Sequence, residues 1–505
     1  MNLRNSKHLV ISSLLYLILW FIASNFLLHG INTDSISYFS ISKKYFNGNF
    51  FEAINACWGP LFSWLILPSF SFNLEPHIYS RILFGILSIF FLILIYKFFV
   101  RLNLTEKTRS LGIYFFILPA IFFTFYRLTP DYILLILTLV YIYISTTDNF
   151  WNRRNLVLLS SVFGALMFLT KSYGLMFFIA YQTIILMMDF IYNKKINRTI
   201  FSNYLFSLIL FLILISPWIY LLSNKYGGLT VSTSGIITFR IMNPELNFRH
   251  PSIESGFVAP SDKYAVSAWD DPDLNAYPNW NPLSSFDNFK FFLINTAKNI
   301  IKLFIFILAF APLLSSLIVF LKKKDFLNPV YLKILVAGLI YGLGYTMIYV
   351  ENRYVWPSLI LFALVGLVVL NYFSDKIFYN KIRPVILSIL IICSSLPFFM
   401  FGMRQQLTTT SEYNQARIIK NEYGISGNFA STNYWHHGLA LSYFLESKFY
   451  GTEKLAIDSP ELLEKAKKFN INYIFDYSNL TPQRNNLIFI GKIDSLKIYR
   501  ITDQL

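Results

Sequence analysis

Cysteine is almost missing from this chain: 505 residues contain two, Cys57 and Cys393. They lie far apart in different surroundings, which argues against a disulfide framework. No Cys or His spacing matches a zinc site. Charge is scarce as well, at 14% of residues against roughly 25% in soluble domains. There is no Walker loop and no Gly-x-Gly-x-x-Gly fingerprint, so a nucleotide or nucleotide-sugar has no visible cradle. Internal repeats and low-complexity tracts are absent too. What is plentiful is apolar: 55% of residues, with 52 Phe and 33 Tyr. Many apolar runs reach about 18–20 residues, long enough to cross a bilayer. The net charge of +16 is spread over short clusters between these runs, as orientation in a membrane requires. The expected partners are therefore membrane lipids and not nucleic acid.

The pattern predicts about eleven spans, near 9–28, 78–100, 111–126, 131–147, 156–170, 173–192, 200–222, 291–320, 330–349, 354–371 and 384–402. Met1 to His8 carries Arg4 and Lys7 ahead of a long apolar stretch with no small-residue cleavage signal, which reads as a retained anchor. Arg101, Lys107 and Arg109 fall on one side of the spans, with Arg153, Arg154, Lys194, Lys195, Arg198, Lys322 to Lys324, Lys376, Lys381 and Arg383. By the positive-inside rule that side is cytoplasmic, so the N-terminus lies inside and the C-terminus outside the cell membrane.

The expected domains are a transmembrane region over 1–403, including external loops 29–77 and 223–290, and an extracytoplasmic domain over 404–505. Loop 223–290 is rich in Pro and carries Asp270, Asp271 and Asp273 beside Trp269, Tyr277 and Trp280. It reads as a lid or as an ordinary surface loop. In the tail, Ser411 to Glu422 and Glu461 to Phe469 read as helices. Asn472 to Tyr477, Leu487 to Ile493 and Leu496 to Ile501 read as strands, the last two forming a hairpin across Asp494-Ser495. A small α/β domain fits.

Asp34, Asp131, Lys171, Glu351 and Arg353 all fall at external span ends. A carboxylate just outside the hydrocarbon stays ionised and can reach a membrane-borne substrate. Asp34 suits a general base by type and place, or caps a helix from Ser35 to Phe46. Asp131, in Thr129-Pro130-Asp131, equally opens a helix. Lys171 lies at the tip of a short helical hairpin, where an ammonium can meet a lipid phosphate or snorkel to headgroups. Arg353 offers a planar fork for phosphate oxygens, or pairs with Glu351. Arg81 and Arg127 are further cations near the outer face. Trp58 can stack on a sugar or anchor at the interface. His436 and His437 diverge on a helix and make a poor chelating pair.

Asp34-Ser35-Ile36-Ser37-Tyr38, then Gly48, then Trp58-Gly59-Pro60-Leu61 resembles the first external loop of GT-C glycosyltransferases. The resemblance is to the prokaryotic protein-mannosyltransferase-like and aminoarabinose-transferase-like group. Leu169-Thr170-Lys171 to Leu175 resembles that group's Leu-Thr-Lys turn, with Ser172 where the group has Gly. Glu351-Asn352-Arg353-Tyr354 with Pro357 resembles its Arg-Tyr-x-x-Pro pattern. The resemblance implies a polytopic α-helical membrane protein of GT-C architecture with a small C-terminal extracytoplasmic α/β domain. It implies an inverting transferase that moves a sugar from a polyprenyl-phosphate donor to an extracytoplasmic glycan, lipid or protein. Asp34 would be the base, Asp131 a second acid, and Lys171, Arg353, Arg81 and Arg127 the donor-phosphate contacts. Tyr38, Trp58, Glu351 and His436 would line the substrate. Ser35 stands where eukaryotic protein mannosyltransferases have Glu, a departure that bears on the acceptor. No cofactor is required on this reading, with a divalent ion at Asp34 and Asp131 left open. A flippase for lipid-linked glycans and a non-catalytic envelope assembly subunit are the alternatives from other classes. A flippase should carry polar groups deep within spans or paired broken helices.

Overall fold

The computed structural model describes residues 7–193, 198–320, 328–373, 382–478 and 486–502. The clusters at Lys194 and Lys195, at Lys322 to Lys324 and at Lys376 and Lys381 lie outside the described residues. Among those described, nine helices are long and apolar enough to cross a membrane. They begin with Lys7–Leu27 and Pro76–Arg101 and end with Asn352–Tyr372 and Val385–Arg404. The helices Asp131–Ser145 and Arg154–Thr170, expected as spans, are apolar but only 15 and 17 residues long.

Burial separates the helices by position. Every residue from Trp356 to Leu370 is buried, so this helix runs through the centre of the bundle. That accounts for its uniform hydrophobicity: a helix packed on all sides needs no polar face. Gly366 permits the contact, since a Cβ there would fall 2.6 Å from the carbonyl carbon of Leu314. Lys7–Leu27 and Phe286–Phe310 are mostly unburied within the protein and turn Phe21, Phe26, Ile301 and Ile305 outward.

Two expected spans differ in detail. The stretch 111–126 is two helices, Glu106–Phe115 and Ile117–Phe125, meeting at Phe116. The stretch 291–320 does not continue as one helix. It ends at Phe310, and Pro312 opens a short new one, because proline lacks the N–H that continuation needs.

The last long helix runs unbroken from Ile382 to Ile418. The composition changes near residue 404, but the backbone does not pause there. Beyond it lies a six-stranded sheet of order β1-β3-β2-β4-β6-β5. Its strands are β1 (Gly256–Phe257), β2 (Asn428–Ser431), β3 (Lys448–Thr452), β4 (Tyr473–Asp476), β5 (Leu487–Ile493) and β6 (Leu496–Ile501). β2 pairs in parallel with β3 and β4, while β4–β6 and β5–β6 are antiparallel. The expected hairpin is β5–β6. The strand β1 comes from loop 223–290 and pairs antiparallel with β3, Gly256 opposite Thr452. Loop and tail are thereby one structure.

Candidate active site

Four separate stretches of chain deliver charged groups to one place. The first helix after the N-terminal span is Thr33–Phe46. Its N-cap is Asn32, whose backbone N–H donates to Ser35 Oγ at 3.1 Å. Asp34 is therefore not the cap, contrary to that sequence reading. It sits in the first turn, where the helix dipole favours a carboxylate. Asp131 opens the helix Asp131–Ser145 in the same way, but its oxygens turn to side chains. Oδ1 takes Lys171 Nζ at 2.6 Å and Oδ2 takes the Thr129 hydroxyl at 2.7 Å.

Lys171 follows the helix Arg154–Thr170, in the tight turn before Tyr173–Asn193. Two glycines make this corner. A Cβ on Gly59 would lie 2.6 Å from the Leu169 carbonyl oxygen, and one on Gly174 2.6 Å from the Met167 carbonyl oxygen. The Trp58-Gly59-Pro60 segment therefore packs directly on the backbone that presents Lys171. Arg353 lies in the short turn Asn352–Val355 ahead of the central helix.

Arg353 joins the groups. Its Nη1 is 2.7 Å from Asp34 Oδ2 and 3.9 Å from Asp131 Oδ2, while Nε is 3.0 Å from Glu351 Oε2. Glu351 also takes Arg127 Nη1 at 2.9 Å. Lys171 Nζ lies over the Tyr354 ring at 4.1 Å. Three acids and three bases thus balance in one cluster. Arg127 and Lys171 are its more open cations, at 30% and 23% exposure against 8% for Arg353.

Burial pushes the Asp34 carboxyl up, but the charge of Arg353, with Arg127 and Lys171 behind it, outweighs this and holds Asp34 below the usual carboxylate range. Glu351 is held low by the same balance of burial against Arg353 and Arg127. Burial pulls the Lys171 ammonium below the ordinary lysine range against the opposing pull of Asp131. All four oxygens of Asp34 and Asp131 meet protein donors: Arg353 and Trp269 Nε1 on Asp34, Lys171 and Thr129 on Asp131. The Arg353 guanidinium lies between the two carboxylates.

Loop 223–290 lies over Asp34 and is pinned to the helix Thr33–Phe46. Trp269 Nε1 is 3.4 Å from Asp34 Oδ1, and the Trp269 carbonyl accepts from Ser37 Oγ and Trp58 Nε1, both at 3.1 Å. The acidic run has structural partners. Asp270 accepts from Ser40 and from Val266 N, with Lys44 at 3.8 Å. Asp271 takes Lys225 at 3.1 Å and the Tyr226 hydroxyl at 2.8 Å. Asp273 accepts from Asn275 N at 2.9 Å.

Of the residues expected from sequence, Asp34, Asp131, Lys171, Arg127, Glu351 and Arg353 come together. Trp58 and Tyr38 stand beside them, edge to face at 5.4 Å, with Tyr38 buried beneath. His436 lies tilted against Trp435 at 3.8 Å, and Trp435 meets Trp269 at 5.6 Å. Burial lowers His436 and His250 to about 4 each, although Asp34 pulls both upward. Both rings are neutral at pH 7. Arg81 does not join. It is fully buried, and its terminal nitrogens donate to the carbonyls of Thr124 and Gly30. Trp269 was visible in sequence only as one of several loop aromatics. Nothing there signalled its contact with Asp34. At the far end of the helix Asp131–Ser145, a polar cavity is lined by Asp189 and Lys333, paired at 3.1 Å.

No family model matches this chain, and no curated protein sequence matches it. The fold does find counterparts. ArnT from Cupriavidus metallidurans bound to undecaprenyl phosphate is 11% identical, with 98% of each chain covered and a TM-score of 0.57. ArnT from the same organism in its apo state is 12% identical, with 97% of each chain covered and a TM-score of 0.55. The Archaeoglobus fulgidus oligosaccharyltransferase in complex with zinc and sulfate is 11% identical, with 93% of this chain and 68% of that one covered and a TM-score of 0.56. At such identities the likeness is one of fold. The chain is a multi-pass membrane protein with the GT-C architecture, carrying a small C-terminal sheet domain.

Proposed function

We propose that this protein is an inverting glycosyltransferase that takes a sugar from a polyprenyl-phosphate donor and passes it to an extracytoplasmic acceptor. The observation that carries the reading is the convergence of Asp34, Asp131, Lys171 and Arg353 from four distant stretches of chain. The reaction needs a base for the acceptor proton and cations for the departing phosphate. The cluster holds both kinds of group, beside exposed apolar helices that can sort an isoprenoid from the surrounding lipid. One of its structural counterparts is described with undecaprenyl phosphate bound.

The balanced charges suggest how the parts work together. An entering phosphate competes with Asp34 for Arg353, and with Asp131 for Lys171. When the donor engages Arg353, Asp34 loses the partner that holds its proton affinity down. It then becomes a better base, in the presence of the donor and not before. The acceptor nucleophile gives its proton to Asp34 and attacks the anomeric carbon. The bond to the phosphate oxygen breaks on the opposite face. The charge growing on that oxygen meets Lys171 and Arg353. Trp58, Trp269, Trp435 and His436 form the wall against which a sugar or acceptor would lie. The sugar and acceptor would be identified by mass spectrometry of lipid-linked and envelope glycans from cells with and without the intact gene. On this reading, deletion leaves a polyprenyl-phosphate sugar unconsumed and removes that sugar from one acceptor. An unchanged glycan profile contradicts it.

A further inference from the structure

A second cluster of ligating side chains lies outside the active site, where the first two long apolar helices end. His29 follows the helix Lys7–Leu27. Glu75 and His77 flank Pro76 at the start of Pro76–Arg101. His29 Nδ1 is 3.0 Å from His77 Nε2, and Glu75 Oε2 is 3.2 Å from the same nitrogen. The three ligand atoms all fall within 4.8 Å of one another. Tetrahedral bonds of about 2.0–2.1 Å place ligand atoms roughly 3.3 Å apart, close to the two short separations seen.

The two imidazoles are costly as they stand. His77 is 1% exposed, and its Nδ1 has no hydrogen-bond partner. All of its polar contact is directed through Nε2 into the cluster. There it faces the Nδ1 of a second imidazole and a carboxylate, so one proton on Nε2 must serve two acceptors at once. A cation that accepts all three lone pairs removes the conflict. Two imidazole nitrogens and one carboxylate oxygen suit zinc, whereas magnesium and calcium favour all-oxygen sites. Glu446 adds negative charge near Glu75, while Arg417 and Arg81 add positive charge near the histidines.

We propose that His29, Glu75 and His77 form a zinc-class site, with a fourth position open beside the half-exposed Glu75. The ion would clamp together the outer ends of the first two apolar helices. Tyr413 of the tail helix lies flat on His29 at 3.7 Å and 2°, and Phe444 packs edge-on to His77 at 5.5 Å. The clamp is therefore also the seat of the tail. It stands one short turn ahead of Asp34, with the Gly30 carbonyl between them tied to Arg81.

The test uses the full-length protein in nanodiscs, stripped with a chelator and titrated with Zn²⁺. Bound metal is counted by elemental analysis, and thermal stability is read with and without chelator. Wild type should hold one ion per chain and melt at a lower temperature once stripped. His29→Gln and Glu75→Gln, both at positions with some exposure, should weaken binding by roughly ten-fold or more and lose the response to chelator. Asp34→Asn should keep the ion. Co²⁺ substitution should give a visible ligand-field band that His29→Gln abolishes. Wild-type affinity in both His29→Gln and Glu75→Gln would overturn the proposal. So would loss of zinc on Asp34→Asn alone, which would place the ion at the other cluster.

Discussion

Arg353 lies between Asp34 and Asp131, its Nη1 2.7 Å from one carboxylate and 3.9 Å from the other. One guanidinium thus stands where two acids from distant helices meet. That makes it the expected meeting point of base and donor phosphate, and the properties of the site follow from how firmly it is held.

The pH profile should show this hold. Asp34 lies below the usual carboxylate range and Lys171 below the usual lysine range. Activity should therefore be lost on the acid side only as the pH drops below about 4, and on the alkaline side as the pH rises, with that limb centred below about pH 10.4. Arg353→Gln removes the largest of the charges that oppose burial and leaves only Arg127 and Lys171, so the acid limb should move upward. Lys171→Arg should carry the alkaline limb out of range. The stability sign agrees. A depressed carboxylate contributes stability that is present above its unfolded value near about 4 and lost as the pH falls through its folded value. Neutral-pH stability should thus be indifferent to small pH changes. An unmoved acid limb in the profile of kcat/KM for Arg353→Gln would contradict the coupling.

Lys171 and Asp131 should behave as a pair. Asp131 is 2% exposed, so Lys171→Met removes its closest counterion and leaves it only Thr129 and the more distant Arg353. The variant should lower stability by less than the cost of a fully unpaired buried charge, about 3–5 kcal/mol. Adding Asp131→Asn should recover most of that stability but none of the activity, because the phosphate still lacks its ammonium. Thermal melting and turnover of both single variants and the double variant separate the two effects.

Trp269 should position Asp34 through one N–H and hold the loop through its ring. Trp269→Phe keeps most of the packing and should slow turnover by about five-fold, the worth of roughly 1 kcal/mol of hydrogen bond. Trp269→Ala should free loop 223–290, read as faster proteolysis within it.

Impermeant labelling checks the orientation. With Cys57 and Cys393 replaced by Ser, Lys454→Cys in the tail should react from outside intact cells, and Asn152→Cys should not. The reverse pattern would invert every site assignment relative to the membrane.

How much of this was legible in the sequence depends on how local each signal is. Asp34, Asp131, Lys171 and Arg353 could be named because each ends an apolar run in which a charge is conspicuous. Their pairing could not, since it joins positions 34, 131, 171 and 353 through packing alone. The helix start at Asn32 was missed because Asp and Asn both cap well, and the acid drew the assignment two residues late. The strand Gly256–Phe257 is too short to carry a pattern and is defined by its partner, Gly451–Thr452. The strand Asn428–Ser431 was missed for a related reason: it pairs in parallel on both sides and is buried over Phe429 to Ser431, so it shows no alternation. Arg81, expected as a phosphate contact near the outer face, is instead buried against the carbonyls of Thr124 and Gly30, and nothing local reveals that two backbone carbonyls await it.

The most direct test of the central claim is the release of free polyprenyl phosphate. Membranes from cells lacking the gene, which retain donor and acceptor, are supplied with purified wild-type or Asp34→Asn protein, and the released lipid is followed by mass spectrometry. Wild type should liberate polyprenyl phosphate together with glycosylated acceptor. Asp34→Asn, folded and inserted as wild type, should do so about 10²–10⁴ times more slowly. Release by Asp34→Asn at the wild-type rate would contradict the account.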